Sequence, residues 1–199
     1  MSAALISIIG PLAVGKTTLA ELLCADLPAE LIREDYRGNP FLAQSYAGDA
    51  AARLPGQLCF LVSRVRQLAV TTWPEEGLFV SDYGYCQDRI FARARLGIEE
   101  YKLYEQLARP LARVVHRPDL LIHLDAGSQT LLRRIAERGR DFERVMDGHF
   151  LDSMRAEYAK AAADALCPVI EFDCEAADFR VGAVRAALVA DIRAKLGGR

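Results

Sequence analysis

Residues 10–17 read Gly-Pro-Leu-Ala-Val-Gly-Lys-Thr, a G-x-x-x-x-G-K-T loop between the apolar run at 4–9 and a helix-like segment. The two glycines let the backbone turn tightly enough to aim N–H groups at phosphate oxygens, and the following helix adds its positive N-terminal end. Lys16 is placed to reach the β- and γ-phosphates, and the Thr17 hydroxyl to bind Mg²⁺. Without a preceding strand and a following helix, such a match would be attributed to chance. Both are indicated here, so the match is interpreted as a phosphate-binding loop. The residues assigned to the nucleotide are Gly10, Ala13, Val14, Gly15, Lys16, Thr17 and Thr18.

The composition is that of an ordinary globular protein. Of 199 residues, 52% are hydrophobic and 26% are charged, which predicts a single domain spanning 1–199. A net charge of −2 gives no general attraction to a nucleic acid polymer or an anionic membrane, so we expect a small-molecule partner. No signal peptide or bilayer-length apolar stretch is found, which indicates a cytoplasmic protein. The five cysteines contain no C-x-x-C pair, so neither disulfides nor zinc are expected.

Short apolar runs alternate with helix-length periodic stretches along the chain. Runs of strand length occur at 4–9, 78–81, 119–124 and 168–173, with a weaker one at 30–33. Their continuous apolar character is typical of strands covered on both faces. The pattern therefore predicts a three-layer α/β fold, a central five-stranded parallel sheet with helices on both faces. Helices are predicted at 16–26, 41–49, 56–72, 86–95, 98–115, 128–138, 144–165 and 178–196, with Pro55 in the first turn of the third.

Acidic residues follow two of the predicted strands, at the sheet edge where ligands of parallel sheets gather. Glu34 follows the run at 30–33 and is either a general base for an attacking hydroxyl or a solvated loop carboxylate. Asp82 follows the run at 78–81 and is either a Mg²⁺ ligand, directly or through water, or a helix cap. Spacing alone does not separate these alternatives.

The charge-dense segment 133–144 contains a glycine break at residue 139. Arg138 and Arg140 flank that break, and guanidinium groups there can close over phosphates as an arginine lid. The alternative is a solvated helix face with alternating charges, and we favour it for Arg133 and Arg134.

Gln57 and Arg64 lie seven positions apart, on one face of a predicted apolar helix. A nucleobase pocket would give both side chains partners, since an amide pairs with a base edge and a guanidinium completes the contact. The alternative, which the pattern alone favours, is a structural hydrogen bond and a surface arginine.

In this order the motifs resemble those of the deoxynucleoside kinase family, phosphate-loop enzymes that transfer the γ-phosphoryl group of ATP to the 5′-hydroxyl of a deoxynucleoside. The resemblance covers nearly the whole chain, and its specificity lies in the order and spacing of motifs that are loose individually. The motifs are the loop at 10–17, Glu34 with Asn39-Pro40-Phe41-Leu42, Tyr46, Gln57 with Ser63-Arg64-Val65-Arg66, Asp88-Arg89-Ile90-Phe91-Ala92, residues 118–126, and Arg138-Gly139-Arg140 with Glu143.

The resemblance implies a role for each matching residue. Glu34 would be the base and the lid arginines would act on the phosphates, so the implied catalytic set is Lys16, Glu34, Arg138 and Arg140. Thr17 and Asp82 would hold Mg²⁺ with ATP as the phosphoryl donor. For the acceptor, Gln57 would pair with the base, Phe91 would pack on it, and Tyr46 and Glu143 would hold the 3′-hydroxyl.

The resemblance also suggests which nucleobase the acceptor carries. Arg64 and Asp88 match a pair found in members of the family that accept purine deoxynucleosides or deoxycytidine. Thymidine-preferring relatives tend to carry apolar residues there. An arginine and an aspartate present donors and an acceptor to amino- and oxo-bearing base edges, which apolar residues cannot do.

The chain departs from the family pattern at three positions. Tyr83 stands where an arginine normally contacts the acceptor hydroxyl and the phosphates, and Arg33 or Arg37 are candidates to replace that cation. Ala13 replaces a third loop glycine, and Gly56 replaces an aromatic residue that commonly precedes the glutamine.

The leading hypothesis is a kinase that uses Mg·ATP and a small deoxynucleoside. Tyr83 motivates an alternative, a nucleotide-binding subunit or sensor with weakened catalysis, and Arg33 with Arg37 motivates another, a nucleoside monophosphate kinase. The family commonly forms homodimers, and the predicted helices at 56–72 and 98–115 would supply that interface.

Overall fold

The glycine-rich loop joins the central strand of the sheet to the first helix. In a computed structural model, which describes residues 3–143 and 145–197, strand β1 is Ala4–Ile9 and helix α1 is Lys16–Asp26. Both elements are confirmed as predicted. The six-residue connection between them contains the first six residues of the phosphate-loop motif, and the last two begin α1.

The remaining elements follow the predicted alternation. After α1 come β2 (Ala29–Ile32), α2 (Leu42–Tyr46), α3 (Ala50–Leu68), β3 (Leu78–Ser81), α4 (Cys86–Arg95), α5 (Ile98–Leu111), β4 (Leu120–Asp125), α6 (Ser128–Arg138), a 3₁₀ turn (Asp141–Glu143), α7 (Gly148–Ala163), β5 (Val169–Asp173) and α8 (Gly182–Gly197).

The five strands form one parallel sheet in the order β2-β3-β1-β4-β5. Ile6 of β1 pairs with Val80 of β3 on one side and with Leu120 of β4 on the other. Because all strands run in one direction, their carboxyl ends meet at one edge, and the residues that follow β1, β2 and β3 come together there.

Helices cover both faces of the sheet, which confirms the three-layer prediction. Alternate residues of β1 face opposite ways: Ile6 and Ile8 pack with residues of α1, α6 and α8, whereas Leu5 and Ile9 pack with residues of α3, α4 and α7. This two-sided burial explains why the strands read as unbroken apolar runs.

Several helix boundaries differ from the prediction. Helix α3 begins at Ala50 rather than 56, because the Asp49 side chain caps it by accepting from the Ala51 N–H at 2.9 Å, so Pro55 lies in its sixth position rather than its first turn. The helices predicted to end at 72 and 115 end at 68 and 111, because residues 69 and 115 leave them to form an antiparallel bridge.

The ends of α2, α7 and α8 also differ. Helix α2 is shorter than the predicted 41–49, and α8 begins at Gly182 rather than 178. Helix α7 begins at Gly148, where Asp147 accepts from the Phe150 N–H at 2.7 Å and caps it. The predicted start at Arg144 lies outside the described residues.

Candidate active site

The loop between β1 and α1 has the backbone conformation that its glycines predict. Gly10 and Gly15 have φ angles of 144° and 114°, and a Cβ at Gly10 would lie 2.3 Å from the Leu124 carbonyl oxygen. Ala13, the residue that replaces a third glycine, also has a positive φ of 61°. A positive φ raises the conformational free energy of an alanine by about 1 kcal/mol, which other interactions of the loop must offset.

The Lys16 ammonium is turned inward onto the loop. It donates to the carbonyl oxygens of Gly10 at 2.7 Å and Pro11 at 2.9 Å, although the residue as a whole is only half-buried. Burial lowers the pKa of Lys16 to about 8, against the opposing effect of the Glu34 and Asp82 carboxylates. A bound phosphate chain would supply the negative charge that this buried ammonium lacks.

Thr17, Asp82 and Glu34 are linked at the edge of the sheet. The Thr17 hydroxyl donates to Asp82 Oδ2 at 2.6 Å, and the Glu34 backbone N–H donates to Asp82 Oδ1 at 2.7 Å. A hydroxyl and a carboxylate are the hard oxygen ligands that Mg²⁺ prefers, and Mg²⁺ usually takes only one or two carboxylates beside phosphate oxygens. The pair therefore fits the predicted metal site.

The Glu34 carboxylate continues into a buried polar cluster. Arg64 Nη2 donates to Glu34 Oε1, and Arg64 Nη1 lies 2.8 Å from Asp88 Oδ2. Gln57 Nε2 donates to Asp88 Oδ1 at 2.5 Å and to the Asp88 carbonyl oxygen at 2.9 Å. These contacts bring together four residues predicted for the acceptor, from a loop and two helices.

Burial strengthens the interactions of this cluster. Arg64 is 3% exposed and Asp88 is 1% exposed. Burial alone would lower the pKa of Arg64, but the carboxylates of Asp88 and Glu34 raise it above its usual value. Burial raises the pKa of Asp88, and Arg64 opposes that rise. Arg64 Nε and Nη1 and Asp88 Oδ2 are buried, and none makes a well-directed hydrogen bond to any residue that the structure describes.

Tyr83 belongs to the core rather than to the site. Its side chain is fully buried among Leu5, Leu68 and Phe79, and its hydroxyl donates to Gln67 Oε1 at 2.8 Å. The family arginine therefore has no counterpart at this position.

The suggested replacements for that arginine, Arg33 and Arg37, both border the cavity that contains the phosphate loop, and their replacing it stays a prediction. Arg33 pairs with Glu21 at 2.8 Å, and Arg37 donates to the Tyr36 hydroxyl at 3.2 Å. The cation that contacts Glu34 is Arg64, which a prediction based on residues adjacent to Glu34 could not identify.

The lid arginines converge on one buried carboxylate. Helix α6 ends at Arg138, followed by Gly139 with a φ of 67°, and Arg138 Nε donates to Glu143 Oε2 at 3.0 Å. Arg140 Nη1 lies 3.4 Å from Glu143 Oε1, and its guanidinium stacks over the Tyr36 ring at 4.3 Å. Both cations face the cavity that contains the phosphate loop.

Of the two further residues predicted for the acceptor, Tyr46 lies beside the 3₁₀ turn and Phe91 does not. The Tyr46 ring contacts Phe142 edge-on at 5.4 Å, next to Glu143, and Arg95 stacks on Tyr46 at 3.6 Å. Phe91, by contrast, is half-buried and packs with the apolar cluster between α4 and α7. Its contact with a base stays a prediction.

Gly56, which stands where the family commonly has an aromatic residue, faces the Asn39–Phe41 segment. A Cβ at this position would lie 3.4 Å from Phe41 Cβ, and the Asn39 amide donates to the Gly56 carbonyl oxygen at 2.8 Å. The Asn39–Phe41 segment therefore packs directly on the α3 backbone, and a Cβ at position 56 would be in ordinary van der Waals contact with it.

A cavity of about 1220 Å³ runs from Glu34 and Asp82 past Lys16 to the loop after β5. Arg134 borders it, and the prediction of a solvated side chain was wrong: its guanidinium donates to the carbonyl oxygens of Val14 at 3.1 Å and Cys174 at 3.4 Å. Its position one turn before Arg138 on α6 was the signal, since residues four apart share a face.

The segment 174–180 was also missed, and it lines the same cavity. The carboxyl-end rule applies to β5 as to the other strands and could have identified it.

A phosphate loop at the centre of a parallel sheet, a hydroxyl–carboxylate pair beside it and an arginine lid over the cavity together define a phosphate-loop kinase. The comparisons with known proteins narrow this class. The family model described as "Deoxynucleoside kinase" matches residues 6–194, so the chain belongs to the deoxynucleoside kinase family.

Individual relatives agree with the family assignment. The chain is similar to a deoxyguanosine kinase of Bacillus subtilis, 30% identical over 89% of this chain and 90% of the relative. It is 27% identical to a deoxyadenosine/deoxycytidine kinase of the same organism, over 86% of this chain and 82% of the relative. A solved deoxyadenosine kinase from M. mycoides superposes with a TM-score of 0.81, at 20% identity over 96% of this chain and 98% of that one, which supports the same fold.

No helix within residues 3–143 and 145–197 has both the length and the apolar character needed to cross a membrane.

Proposed function

We propose that this kinase transfers the γ-phosphoryl group of ATP to the 5′-hydroxyl of a purine deoxynucleoside or deoxycytidine. The observation that carries the proposal is the position of Glu34, whose backbone contacts Asp82 in the predicted metal site and whose carboxylate contacts Arg64 in the predicted base site. An acceptor bound on the Arg64–Asp88 side would present its hydroxyl to Glu34 and to the phosphate loop together.

On the donor side, Lys16 and the loop N–H groups would hold the β- and γ-phosphates, and Thr17 and Asp82 would hold Mg²⁺. The metal neutralises charge on the phosphate oxygens when it is bound. Arg138 and Arg140 leave Glu143 in part and turn toward the transferred group, where cations stabilise charge that develops in transfer.

The reaction needs one proton acceptor. The 5′-oxygen bonds to the γ-phosphorus, the bond from that phosphorus to the β,γ-bridging oxygen breaks with its electron pair going to ADP, and the hydroxyl proton passes to Glu34. Tyr46 and Glu143, which lie beside each other, hold the 3′-hydroxyl.

Base recognition rests on Gln57, Arg64 and Asp88. Arg64 and Asp88 hold buried polar atoms without a well-directed hydrogen bond among the described residues, and such atoms are usually satisfied in proteins. A base with an amino group, which guanine, adenine and cytosine all have, offers a donor to Asp88, whereas thymine offers none. Relatives named for deoxyguanosine and for deoxyadenosine with deoxycytidine support this preference.

The acceptor profile tests the proposal. With Mg·ATP as donor, we expect phosphorylation of at least one of deoxyguanosine, deoxyadenosine and deoxycytidine. The kcat/KM for thymidine should be lower by at least about 10²-fold, since a site that hydrogen-bonds an amino group rejects a base that lacks one. The products are separated by chromatography.

The same assay includes the corresponding 5′-monophosphates. A monophosphate kinase would prefer them, and a sensor would bind nucleosides by calorimetry without turnover; either result contradicts the proposal.

We also infer that the chain acts as a homodimer of single kinase domains in the cytoplasm, without a nucleic acid polymer or membrane as partner. Helices α3 and α5 pack together through Leu61 and Tyr104, and their outer face leaves large apolar side chains exposed. These are Val62 at 61%, Ile98 at 78%, Leu103 at 53% and Leu107 at 50%. The five cysteines all lie within the described residues and form no disulfide there, which suits a reducing compartment.

Charge placed on that face is expected to separate the dimer. The double change Leu103→Glu and Leu107→Glu puts two carboxylates on one side of α5, and burying them in an interface is unfavourable. Light scattering after size exclusion should show a dimer for the unaltered protein and a monomer for the variant. Leu166→Glu, at a position 88% exposed beyond α7, is the control and should stay dimeric. A monomeric unaltered protein would contradict the inference.

A further inference from the structure

Gln87 lies in the first turn of α4, one residue before Asp88. It contacts Glu34, the residue that we propose as the general base. Its Nε2 donates to Glu34 Oε1 at 2.7 Å, and its Oε1 lies 3.0 Å from the Tyr158 hydroxyl of α7. Gln87 is 4% exposed and Tyr158 is fully buried. A chain of two hydrogen bonds therefore connects the core of the protein to Glu34.

The direction of these hydrogen bonds follows from the chemistry of the groups. An ionised carboxylate only accepts, so the amide NH₂ of Gln87 must face Glu34 and its carbonyl must face Tyr158. The tyrosine hydroxyl must then donate. Burial raises the pKa of Tyr158 well above its usual value, so this hydroxyl keeps its proton.

Glu34 itself begins an irregular connection after β2, and nothing in its own secondary structure holds the side chain. Arg64 and Gln87 both donate to Oε1, and they leave Oε2 to the acceptor hydroxyl. Arg64 is in turn enclosed by aromatic rings, with its guanidinium 5.0 Å from the Phe60 ring centre and 5.7 Å from that of Tyr83. Tyr83 thus supports Arg64 from the core instead of supplying a cation.

We propose that Gln87, anchored by Tyr158, is a positioning residue that orients Glu34 so that its Oε2 accepts the proton of the acceptor hydroxyl. Gln87 and Arg64 together hold the carboxylate from the Oε1 side. The proposal rests on the proposed function, because it assumes that Glu34 is the base.

The decisive variant is Gln87→Met, which keeps the length of the side chain and removes its donor and acceptor. We expect kcat to fall at least about tenfold, and up to about 10²-fold, because a misplaced catalytic group costs rates of this order. KM for the nucleoside and for ATP should stay within about threefold, since neither ligand loses a contact. Tyr158→Phe should lower kcat in the same direction by a smaller factor.

Folding defects are separated from positioning by the double variant Gln87→Met with Tyr158→Phe. It removes both partners of the buried hydrogen bond, so neither group is left unsatisfied. Its melting temperature should return toward that of the unaltered protein while its kcat stays low. Tyr85→Phe, which removes another buried tyrosine hydroxyl, is the control and should keep the unaltered kcat.

A variant cycle with Glu34→Gln tests whether Gln87 acts through Glu34. In the Glu34→Gln background, Gln87→Met should cause no further fall in kcat, because residues that act as a unit are not additive. The inference would be overturned by an unaltered kcat in Gln87→Met. It would also be overturned if Gln87→Met lowered kcat by the same factor in the unaltered protein and in Glu34→Gln. If Glu34→Gln alone kept full activity, the proposed function would fail instead, so the two failures are distinguishable.

Discussion

Replacing Lys16 with methionine is expected to lower kcat about 10²- to 10³-fold, the cost of removing one preorganised charge from the site of phosphoryl transfer. Methionine keeps most of the volume of the side chain, so the loop should keep its conformation. The two carbonyl oxygens that Lys16 contacts, those of Gly10 and Pro11, are left to water or to a bound cation. Steady-state kinetics with saturating deoxynucleoside measures the effect.

The pH dependence of ATP binding is the specific readout for Lys16. Its pKa is about 8 in the ligand-free protein, so it is mostly charged at neutral pH and loses its proton as the pH rises. Because the phosphates favour the charged form, the apparent Kd for ATP should rise about tenfold between about pH 7 and 9, as expected for one linked proton.

Calorimetry without acceptor measures this affinity apart from catalysis. The rise in Kd should disappear in Lys16→Met, and Lys160→Met, an exposed position on α7, should behave as the unaltered protein. A Kd that stays constant to pH 9 in the unaltered protein would contradict the placement of Lys16 on the phosphates.

The layered fold could be predicted because its signal is local. Strands buried on both faces must be apolar throughout, and helices must show a periodic apolar face, so the order and type of elements follow from the pattern. Boundaries depend on single hydrogen bonds instead. The caps formed by Asp49 and Asp147 set the starts of α3 and α7, and an aspartate that caps looks the same in the sequence as one that does not.

The donor half of the site could be predicted for a similar reason. The loop at 10–17 is contiguous, so its spacing alone specifies a phosphate-binding backbone conformation, and the structure shows the positive φ angles that its glycines predict.

The acceptor half depends on contacts between distant residues. From spacing alone, the favoured interpretation was that Arg64 lies on the surface and that Gln57 makes a structural hydrogen bond. The structure buries Arg64 between Glu34 and Asp88, which are 30 and 24 positions away in the sequence. Gln87 was missed because it makes its contact across the fold, to a residue that no periodic pattern relates to it.

Glu34→Gln is expected to lower kcat about 10²- to 10⁴-fold, the range for loss of a general acid or base. The amide fills the same space and can still accept from Arg64, but it cannot take the proton of the attacking hydroxyl. KM for ATP should change little, because the metal-site contact of Glu34 uses its backbone N–H to Asp82, which the substitution leaves in place. The measurement is single-turnover phosphorylation of the preferred deoxynucleoside, which reports the chemical step rather than product release.

The matched control for this substitution is Glu30→Gln. Glu30 lies on β2, four residues before Glu34, and its side chain is exposed, so this variant changes the net charge equally and should keep the unaltered rate. Arg64 stays paired with Asp88 in Glu34→Gln, so one buried cation keeps its partner and the protein should remain folded. A single-turnover rate within threefold of the unaltered protein would show that another group takes the proton. The Arg64–Gln87 arrangement would then orient a carboxylate that serves substrate binding instead of proton transfer.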